Sequence, residues 1–292
     1  MIKKNKTLVV TGANGLLGRA LLDILVDVFD IWAIVHTMPV NPVPNVRYLT
    51  IDLSLEWSFE ELPANADVII HLAQSAQFRN FPNGCMDVFK VNIASTARLL
   101  DYAHKVNAEK FIFASSGGVY GNSSNSLKEN SPIAPPGQLG YYLGSKMCGE
   151  ILVQSYASVF QVVVLRPFFI FGKGQNRAML IPRLMDNVSA DRPIMLQGQN
   201  GIRINPVHVH DASEAIMAAL SLEQSATFNI AGPDVLSIRE ICEGMGQFLG
   251  KKPIFQTQFG DPQDLIGNNA AMCRQLIQPQ YRLLNSLNDV LL

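Results

Sequence analysis

The sequence contains 292 residues, of which 48% are hydrophobic and 16% are charged, and its formal net charge is −1. These proportions are typical of a globular protein with a large core and exclude a disordered chain. The nearly neutral charge gives no indication of a nucleic-acid or membrane-surface partner, and no apolar run approaches the length of a membrane span.

The first predicted element is a strand over residues 7–10, followed by the motif TGANGLLG (11–18) and then by apolar residues at helical spacing. Gly12 allows a sharp turn off the strand, Gly15 lets the backbone approach a pyrophosphate, and Gly18 lets the helix pack closely on the sheet. Free N–H groups at the start of the helix favour a bound phosphate. Three glycines alone can mark only a tight turn, but between a strand and a helix they predict dinucleotide binding.

Strand and helix patterns then alternate through the first half of the chain. The predicted strands are 31–35, 46–51, 67–71, 111–114 and 161–165, and the predicted helices are 86–105 and 141–160. This alternation predicts an α/β fold with a doubly wound parallel sheet of the Rossmann type, and its ligand is expected at the carboxyl ends of the strands.

The pattern changes after Pro167 to shorter elements that are broken by glycine and proline. We therefore predict a dinucleotide-binding Rossmann domain over residues 1–166 and a smaller mixed α/β substrate-binding lobe over residues 167–292. The predicted elements of the lobe are 180–188, 194–196, 211–222, 227–230 and 237–249. Asp211 is expected to cap the N-terminus of the helix at 211–222.

The cysteines are widely spaced and form no CxxC pair. This pattern predicts reduced, buried thiols in a cytoplasmic protein, with neither a disulfide framework nor a metal site. The cysteines are Cys85, Cys148, Cys242 and Cys273.

Tyr142 and Lys146 are four residues apart in a predicted helix, so the phenol and the ammonium group lie on the same face. A nearby cation favours the phenolate, so Lys146 is expected to lower the pKa of Tyr142 from its usual value of about 10. Tyr142 would then be a proton donor and acceptor near neutral pH. The same spacing also arises by chance as an ordinary helical contact.

Two polar residues lie at or just after the ends of predicted strands. Ser116 follows the strand at 111–114, where a doubly wound sheet exposes its site, and its hydroxyl is placed to bind a substrate oxygen. The alternative is a serine that caps a turn. His71 ends the strand at 67–71, and a histidine in that position is most often a hydrogen-bonded member of the core.

Taken together, these stretches resemble the extended short-chain dehydrogenase/reductases, which include sugar-nucleotide epimerases, dehydratases and 4-ketoreductases. The matching segments, in order, are TGANGLLG (11–18), VIIHLAQ (68–74), VNIAST (91–96), FIFASSGGVYG (111–121), YLGSK (142–146), LRPFFIFGKGQ (165–175) and VHVHDASEAI (207–216).

The resemblance implies roles for the residues that match the family pattern. Tyr142 would be the catalytic acid/base, Lys146 would hold the nicotinamide ribose, and Ser116 would orient the reacting oxygen. Asn92 would support the wall of the cofactor site, or alternatively would only hold backbone. The implied cofactor-binding residues are Gly12, Asn14, Gly15, Leu16, Leu17, Gly18, His36, Asp52, Leu53, Leu72, Ala73, Gln74, Asn92, Ser115, Tyr142, Lys146 and Phe168, the last through its backbone.

Two departures from the family pattern concern the ligands. A carboxylate is expected after the second strand to bind the ribose 2′-OH of NAD, but His36 stands there and an imidazole can approach a 2′-phosphate. This position favours NADP slightly, and the cofactor is written as NAD or NADP. In the lobe, Phe169 replaces the usual asparagine, and Arg203 is one position out of register with the arginine that meets the diphosphate. Arg177 and Arg183 are further candidates for that contact. The predicted substrate-binding residues are Ser116, Phe169, Arg177 and Arg203.

The implied function is the reduction or epimerisation of a 4-keto nucleotide sugar by hydride transfer, and the short chain favours a reductase. Dehydration is disfavoured because Gly117 and Gly118 stand where dehydratases carry an Asp-Glu pair. The alternatives are a non-catalytic dinucleotide-binding or redox-sensing protein of the same fold and a reductase of a non-sugar carbonyl compound. The family also implies a homodimer in which the helices at 86–105 and 141–160 form a four-helix bundle.

Overall fold

The computed structural model describes residues 6–260 and 262–291. The strands, in chain order, are β1 (Thr7–Thr11), β2 (Asp30–Val35), β3 (Arg47–Thr50), β4 (Val68–His71), β5 (Lys110–Ala114), β6 (Gln161–Pro167), β7 (Ile194–Gln197), β8 (Arg203–Ile204), β9 (Ala226–Ile230), β10 (Leu236–Ser237) and β11 (Phe255–Gln258). The α-helices are α1 (Leu16–Leu25), α2 (Cys85–Phe89), α3 (Ser95–Lys105), α4 (Pro136–Ser155), α5 (Leu180–Ser189), α6 (Val209–Ala219), α7 (Ile238–Leu249), α8 (Ala270–Gln275) and α9 (Leu287–Leu291).

The chain forms two compact units. The first contains the chain up to residue 119 together with 134–166 and 213–228, and the second contains 120–133, 167–212 and the chain from residue 229. The chain therefore passes from one unit to the other after residues 119, 133, 166, 212 and 228, whereas the sequence predicted one boundary, after residue 166.

A seven-stranded sheet has the order β3-β2-β1-β4-β5-β6-β9. The neighbouring pairs among β1 to β6 are parallel. The chain runs from β1 outward to β3 and then returns to β4 on the other side of β1, so the strand order reverses between β1 and β4. Ligands bind outside the carboxyl ends of the strands at such a reversal. The predicted α/β fold with a doubly wound parallel sheet is confirmed.

Helix α4, which carries the predicted Tyr–Lys pair, packs closely on this sheet. Gly149 faces Phe113 of β5, and a Cβ at that position would lie 2.5 Å from the ring atom Cζ. Because position 149 has no side chain, α4 can approach β5. The helix begins at Pro136, earlier than predicted, and Gly140 (φ 64°, ψ 179°) kinks it just before Tyr141.

The predicted helix at 86–105 is interrupted. Helices α2 and α3 are joined by a π-helical segment, Lys90–Ala94, which contains Asn92. Such π segments occur frequently at functional sites.

The second unit has its own core, formed by α5, α7 and the strands around them. Two small sheets support it: β8 pairs antiparallel with β10, and β7 pairs parallel with β11. Helix α7 begins with a capping box, in which Ser237 accepts a hydrogen bond from Glu240 N and the Glu240 carboxylate accepts one from Ser237 N.

The predicted role of Asp211 is wrong. Helix α6 begins at Val209, so Asp211 lies inside the first turn. Its buried carboxylate accepts hydrogen bonds from the backbone N–H groups of Gln280 and Tyr281, at 2.9 and 3.0 Å. Asp211 therefore anchors the C-terminal segment of the second unit.

The prediction of four buried thiols is also wrong in part. All four cysteines are free thiols, but Cys148 on α4 is exposed and only Cys242 is fully buried. Burial raises the pKa of the Cys242 thiol to about 12. In the part of the chain that the structure describes, no helix has the length and apolarity needed to cross a bilayer.

Candidate active site

A cavity of about 580 Å³ lies at the carboxyl ends of β1 to β4 in the first unit. Its volume is within the usual range for small-molecule and cofactor sites. Of the predicted cofactor-binding residues, the lining includes Gly12, Asn14, Gly15, His36, Asp52, Leu53, Leu72, Ala73 and Gln74. Asp87 of α2 and Val91 also line it, whereas the other predicted cofactor-binding residues are not part of the lining: Leu16, Leu17, Gly18, Asn92, Ser115, Tyr142, Lys146 and Phe168.

The glycine motif provides a cradle that a side chain would fill. Gly12 has φ +67°, and a Cβ there would lie 2.7 Å from the backbone nitrogen of Ala73. A Cβ at Gly18 would lie 2.3 Å from the carbonyl oxygen of Gly12. Helix α1 begins at Leu16 without a side-chain cap, so the N–H groups of Leu16 and Leu17 have no partner within the helix. These residues fit the pyrophosphate of a dinucleotide.

An imidazole and a carboxylate stand side by side in the cavity wall. His36 Nε2 lies 3.4 Å from Asp52 Oδ2, and the His36 side chain is 77% exposed. Hydrogen bonds from the hydroxyl and backbone N–H of Ser54 hold the pKa of Asp52 below its usual value, and the neighbouring His36 acts in the same direction. Asp52 is therefore ionised at neutral pH, and it partners the group that the sequence assigned to a 2′-phosphate.

His71 is buried, and both of its ring nitrogens have threonine partners, as expected for a core histidine. Its Nδ1 lies 2.6 Å from Thr11 Oγ1, and its Nε2 lies 3.0 Å from Thr96 Oγ1. Because the Thr96 hydroxyl donates to the carbonyl oxygen of Asn92, the hydrogen-bond network assigns the proton to Nε2. Burial lowers the pKa of His71 to about 3, with a smaller effect from Lys146.

Asn92 holds the segment after β4 against α4. Its Oδ1 accepts from Ser75 N at 2.9 Å, and its Nδ2 donates to Ser145 Oγ at 2.9 Å. The alternative interpretation of Asn92, a buried amide that holds backbone, describes this arrangement, and the amide also supports the cavity wall through Ser75.

The hydroxyl of Tyr142 reaches the cavity wall through one hydrogen bond. It donates to Oε1 of Gln74 at 2.8 Å, and Gln74 lines the cavity. The Phe78 ring packs on the Tyr142 ring with centroids 5.0 Å apart, and the Arg79 guanidinium lies 5.0 Å from the centre of the Phe78 ring.

The predicted lowering of the Tyr142 pKa is wrong for this conformation. Desolvation raises the pKa of Tyr142 to about 12, and the charge that opposes this rise is that of Arg79. Lys146 shares a helix face with Tyr142, but its buried Nζ donates to the carbonyl oxygen of Ala114 at 2.9 Å. Burial lowers the pKa of Lys146 to about 8, against the influence of Glu150.

A buried ion pair lies behind Lys146. Glu150 accepts from Arg166 Nε at 3.0 Å and from the Arg166 Nη2 atom at 2.6 Å, and it also accepts from the Ser115 hydroxyl. Ser115, a predicted cofactor ligand, therefore directs its hydroxyl into the protein. Sequence reasoning missed Glu150, although its position four residues after Lys146 on the same helix could have indicated it.

Ser116 lies in the turn after β5, and its Oγ accepts from the backbone N–H of Gly118 at 3.1 Å. This is the turn-capping contact proposed as the alternative, and it leaves the hydroxyl proton free to donate. A Cβ at Gly118 would lie 2.9 Å from Leu143 Cδ2 of α4, so any side chain at this position would require the Leu143 side chain to shift.

The remaining predicted residues belong to the second unit, where the polar groups of Phe168, Arg177 and Arg203 have partners. Phe168 donates its N–H to Ile230 O and accepts from Val207 N, so its backbone is engaged in pairing. Arg177 pairs with Asp186, and Arg203 makes a two-nitrogen contact with Asp264, at 2.8 and 2.6 Å. Phe169 has φ +47°, a backbone region that asparagine occupies more readily than a bulky residue.

A family model, "NAD dependent epimerase/dehydratase family", matches residues 8–231. An uncharacterised UDP-glucose epimerase of Bacillus subtilis is 26% identical over 84% of this chain and 83% of its own length. The dTDP-4-dehydro-6-deoxyglucose reductase of Escherichia coli is 27% identical over 89% of this chain and 86% of its own length. A UDP-glucuronic acid 4-epimerase from Bacillus cereus, solved with UDP-glucuronic acid and NAD, superimposes with a TM-score of 0.85 at 23% identity over 97% of each chain, which shows a shared fold.

The family model matches most of the chain, and the matched range, residues 8–231, contains both the glycine cradle and the Tyr142–Lys146 pair. This is a family of NAD-dependent enzymes that act on sugar nucleotides, as epimerases, dehydratases and reductases. The chain belongs to the NAD-dependent epimerase/dehydratase family.

Proposed function

We propose that the protein is an NAD-dependent reductase of a 4-keto nucleotide sugar, with Tyr142 as its acid/base. The observation that carries the proposal is the position of the Tyr142 hydroxyl, one hydrogen bond from Gln74 in the wall of the cavity that holds the glycine cradle. The resemblance to the Escherichia coli reductase over most of both chains supports this choice.

A reduced nicotinamide cofactor, held by the glycine cradle at Gly12 and Gly15, would supply the hydride for the carbonyl carbon in the reductive direction. Tyr142 gives its proton to the carbonyl oxygen, which becomes the alcohol. Ser116 donates its free hydroxyl proton to the same oxygen and orients it. Lys146 provides positive charge that offsets the phenolate left on Tyr142.

For the cofactor, we propose NAD rather than NADP. The sequence-based preference for NADP depended on His36, and Asp52 now stands beside that imidazole as an ionised carboxylate. A carboxylate repels a neighbouring 2′-phosphate, because both are negatively charged, whereas it can accept a hydrogen bond from a ribose hydroxyl. Calorimetry should therefore give a lower Kd for NADH than for NADPH, and equal or tighter binding of NADPH would contradict this assignment.

For the substrate, we propose the second unit as the nucleotide-binding part. It contains two cavities, of about 420 and 360 Å³, and both are lined by Gly201. Arg183 lines the smaller cavity, and its guanidinium has no hydrogen bond or ion pair within residues 6–260 and 262–291. Because Arg177 and Arg203 already face carboxylates, Arg183 is the better candidate for a diphosphate.

The reductase and epimerase alternatives differ in their use of NADH. A reductase consumes one NADH for each 4-keto sugar, whereas an epimerase returns the hydride and shows no net consumption. We expect NADH absorbance to fall when a dTDP-4-keto-6-deoxyhexose is added. Interconversion of UDP-glucose and UDP-galactose with no loss of NADH would establish the epimerase, and turnover of simple ketones alone would favour a non-sugar substrate.

We also propose that the chain is a homodimer that pairs through α2, α3 and α4. Four large hydrophobic side chains on α2 and α4 are exposed: Met86 by 58%, Phe89 by 42%, Tyr141 by 38% and Ile151 by 60%. An exposed apolar patch on packed helices favours association. Gel filtration of Ile151→Glu should show a smaller species than the wild type, and a wild-type monomer at micromolar concentration would contradict the proposal.

A further inference from the structure

The side chain of Gln74 stands between the proposed acid/base and the cavity. A phenol has one proton, and the Tyr142 hydroxyl directs that proton at Gln74 Oε1, 2.8 Å away. While this hydrogen bond exists, Tyr142 cannot donate the same proton to a substrate oxygen. An oxygen that enters from the cavity therefore has to replace Gln74 as the acceptor.

The backbone on both sides of Gln74 is fixed. Ala73 N donates to Thr11 Oγ1 at 3.3 Å, and Ser75 N donates to Asn92 Oδ1 at 2.9 Å. Release of Tyr142 thus requires only rotation of the Gln74 side chain, whose amide nitrogen has no other partner in the described part of the chain. The Phe78 ring meanwhile keeps the Tyr142 ring in place.

We propose that Gln74 is a positioning residue for Tyr142, whose amide oxygen holds the phenolic proton until the substrate oxygen displaces it. This inference rests on the proposed function, because it assigns Tyr142 as the proton donor. The proton then moves from Tyr142 to the substrate oxygen, and a bound reduced nicotinamide cofactor would supply the hydride that the adjacent carbon needs. Gln74 itself gains and loses no proton.

Three charged groups lie on the elements that contain Tyr142 or pack against it. Arg79, in the segment after β4, acts on Tyr142 from one side. Lys146 lies on the same helix and is bonded to Ala114 O, and Asp87 of α2 accepts from the Ser75 hydroxyl. Substitution of Gln74 leaves all three groups in place, so a change in the ionisation of Tyr142 reports on the amide contact.

Two substitutions at position 74 are expected to act in opposite directions. Gln74→Met keeps the length of the side chain but offers no acceptor, so it no longer favours the protonated phenol and the pKa of Tyr142 should fall. Gln74→Glu offers a charged acceptor, so it should strengthen the hydrogen bond and raise the pKa further. If Gln74 had only a structural role, the two substitutions would not shift the pKa of Tyr142 in opposite directions.

The experiment is an ultraviolet titration of tyrosinate without cofactor or substrate. Each protein is compared with its own Tyr142→Phe version, so that the difference spectrum isolates Tyr142. For the wild type, we expect almost no tyrosinate signal from Tyr142 up to about pH 11. The acid ionisation constant of Tyr142 should be about tenfold larger in Gln74→Met. In Gln74→Glu, we expect no tyrosinate signal from Tyr142 over the same pH range. Gln77→Met is the matched control, because Gln77 lines the same cavity but bonds to Asn80.

Ionisation of Tyr142 that is unchanged in Gln74→Met, or shifted equally by both substitutions, would overturn the inference. The alkaline limb of the kcat/KM profile should follow the same order as the titration. If Tyr142→Phe is fully active, the proposed function fails, whereas the titration still reports separately on the Gln74 contact.

Discussion

The two units differ in what they do with their polar side chains. In the first unit, polar groups near the strand ends either face the cavity, as Gln74 and Asp52 do, or hold its wall, as Asn92 does. In the second unit, two of the arginines that the sequence assigned to the substrate face carboxylates instead, Arg177 on Asp186 and Arg203 on Asp264.

This difference shows which kind of motif predicts a site. Glycines and strand-end residues are placed by backbone topology, so their position in the sequence determines where they lie. An arginine side chain on a surface is long, and its partner is decided by whichever carboxylate the fold brings near. The first unit is therefore the firmer basis for a functional assignment, and the predictions below compare the two units.

The largest effect is expected from Tyr142→Phe in the first unit. Loss of the proton donor should lower kcat about 10²- to 10⁴-fold, with NADH binding retained. Tyr141→Phe is the matched control, because that neighbouring phenol is exposed and packs on Phe81. Steady-state kinetics on the accepted substrate provides the measurement. Equal activity of the two variants would remove Tyr142 from the chemistry.

A large loss of stability is expected from Gly12→Ala. The position has φ +67°, and the new Cβ would meet the Ala73 backbone at 2.7 Å, so the free energy of unfolding should fall by about 1–3 kcal/mol or more. NADH binding should weaken as well. Gly137→Ala on α4 is the control, because a Cβ there meets nothing within 4 Å. Urea melts that gave the two variants equal stability would contradict the close approach.

Much of the first unit could be predicted from the sequence because its signals are local. The predicted strand at 161–165 lies within β6, and the one at 31–35 lies within β2. Short elements of the second unit could not be predicted: β11 has three exposed residues and pairs with β7 about sixty positions earlier, and α9 has only five residues. Neither has enough apolar periodicity to be recognised.

At the candidate site too, the sequence could not predict contacts between residues that are far apart in the chain. The sequence placed Gln74 beside the cofactor, but its hydrogen bond joins residues 68 positions apart, and no local pattern indicates such a contact. The Arg203–Asp264 pair spans 61 positions. The direction of the Tyr142 pKa was missed for a related reason, since it depends on how the segment containing Phe78 and Arg79 covers the phenol.

Acid should destabilise the protein through histidines in both units. The pKa of His71 is about 3 when folded, against 6.5 when exposed, so the unfolded state takes up the proton first. Its contribution is complete above pH 6.5 and is lost as the pH falls, by about 1.4 kcal/mol per pH unit. In the second unit, burial lowers the pKa of His208, and the neighbouring His210 lowers it further. His208 therefore also reduces the free energy of unfolding as the pH falls.

Urea melts across this range should separate the two histidines. His71→Gln and His208→Gln should each reduce the steepness of the acid loss, and His71→Gln should do so more. An unchanged pH dependence in His71→Gln would mean that His71 is protonated in the folded protein, in conflict with its two threonine partners.

The smallest effect is expected from the arginines of the second unit. If Arg183 meets the diphosphate, Arg183→Gln should raise KM about three- to tenfold and leave kcat unchanged, because a lost charge-assisted contact at an exposed site weakens binding equally in the ground and transition states. Arg203→Gln should leave KM unchanged, because the Arg203 guanidinium is held by Asp264. The reverse result, with KM raised only in Arg203→Gln, would mean that Arg203 leaves Asp264 to bind the substrate. The assignment of Arg203 to the diphosphate from the sequence would then be correct.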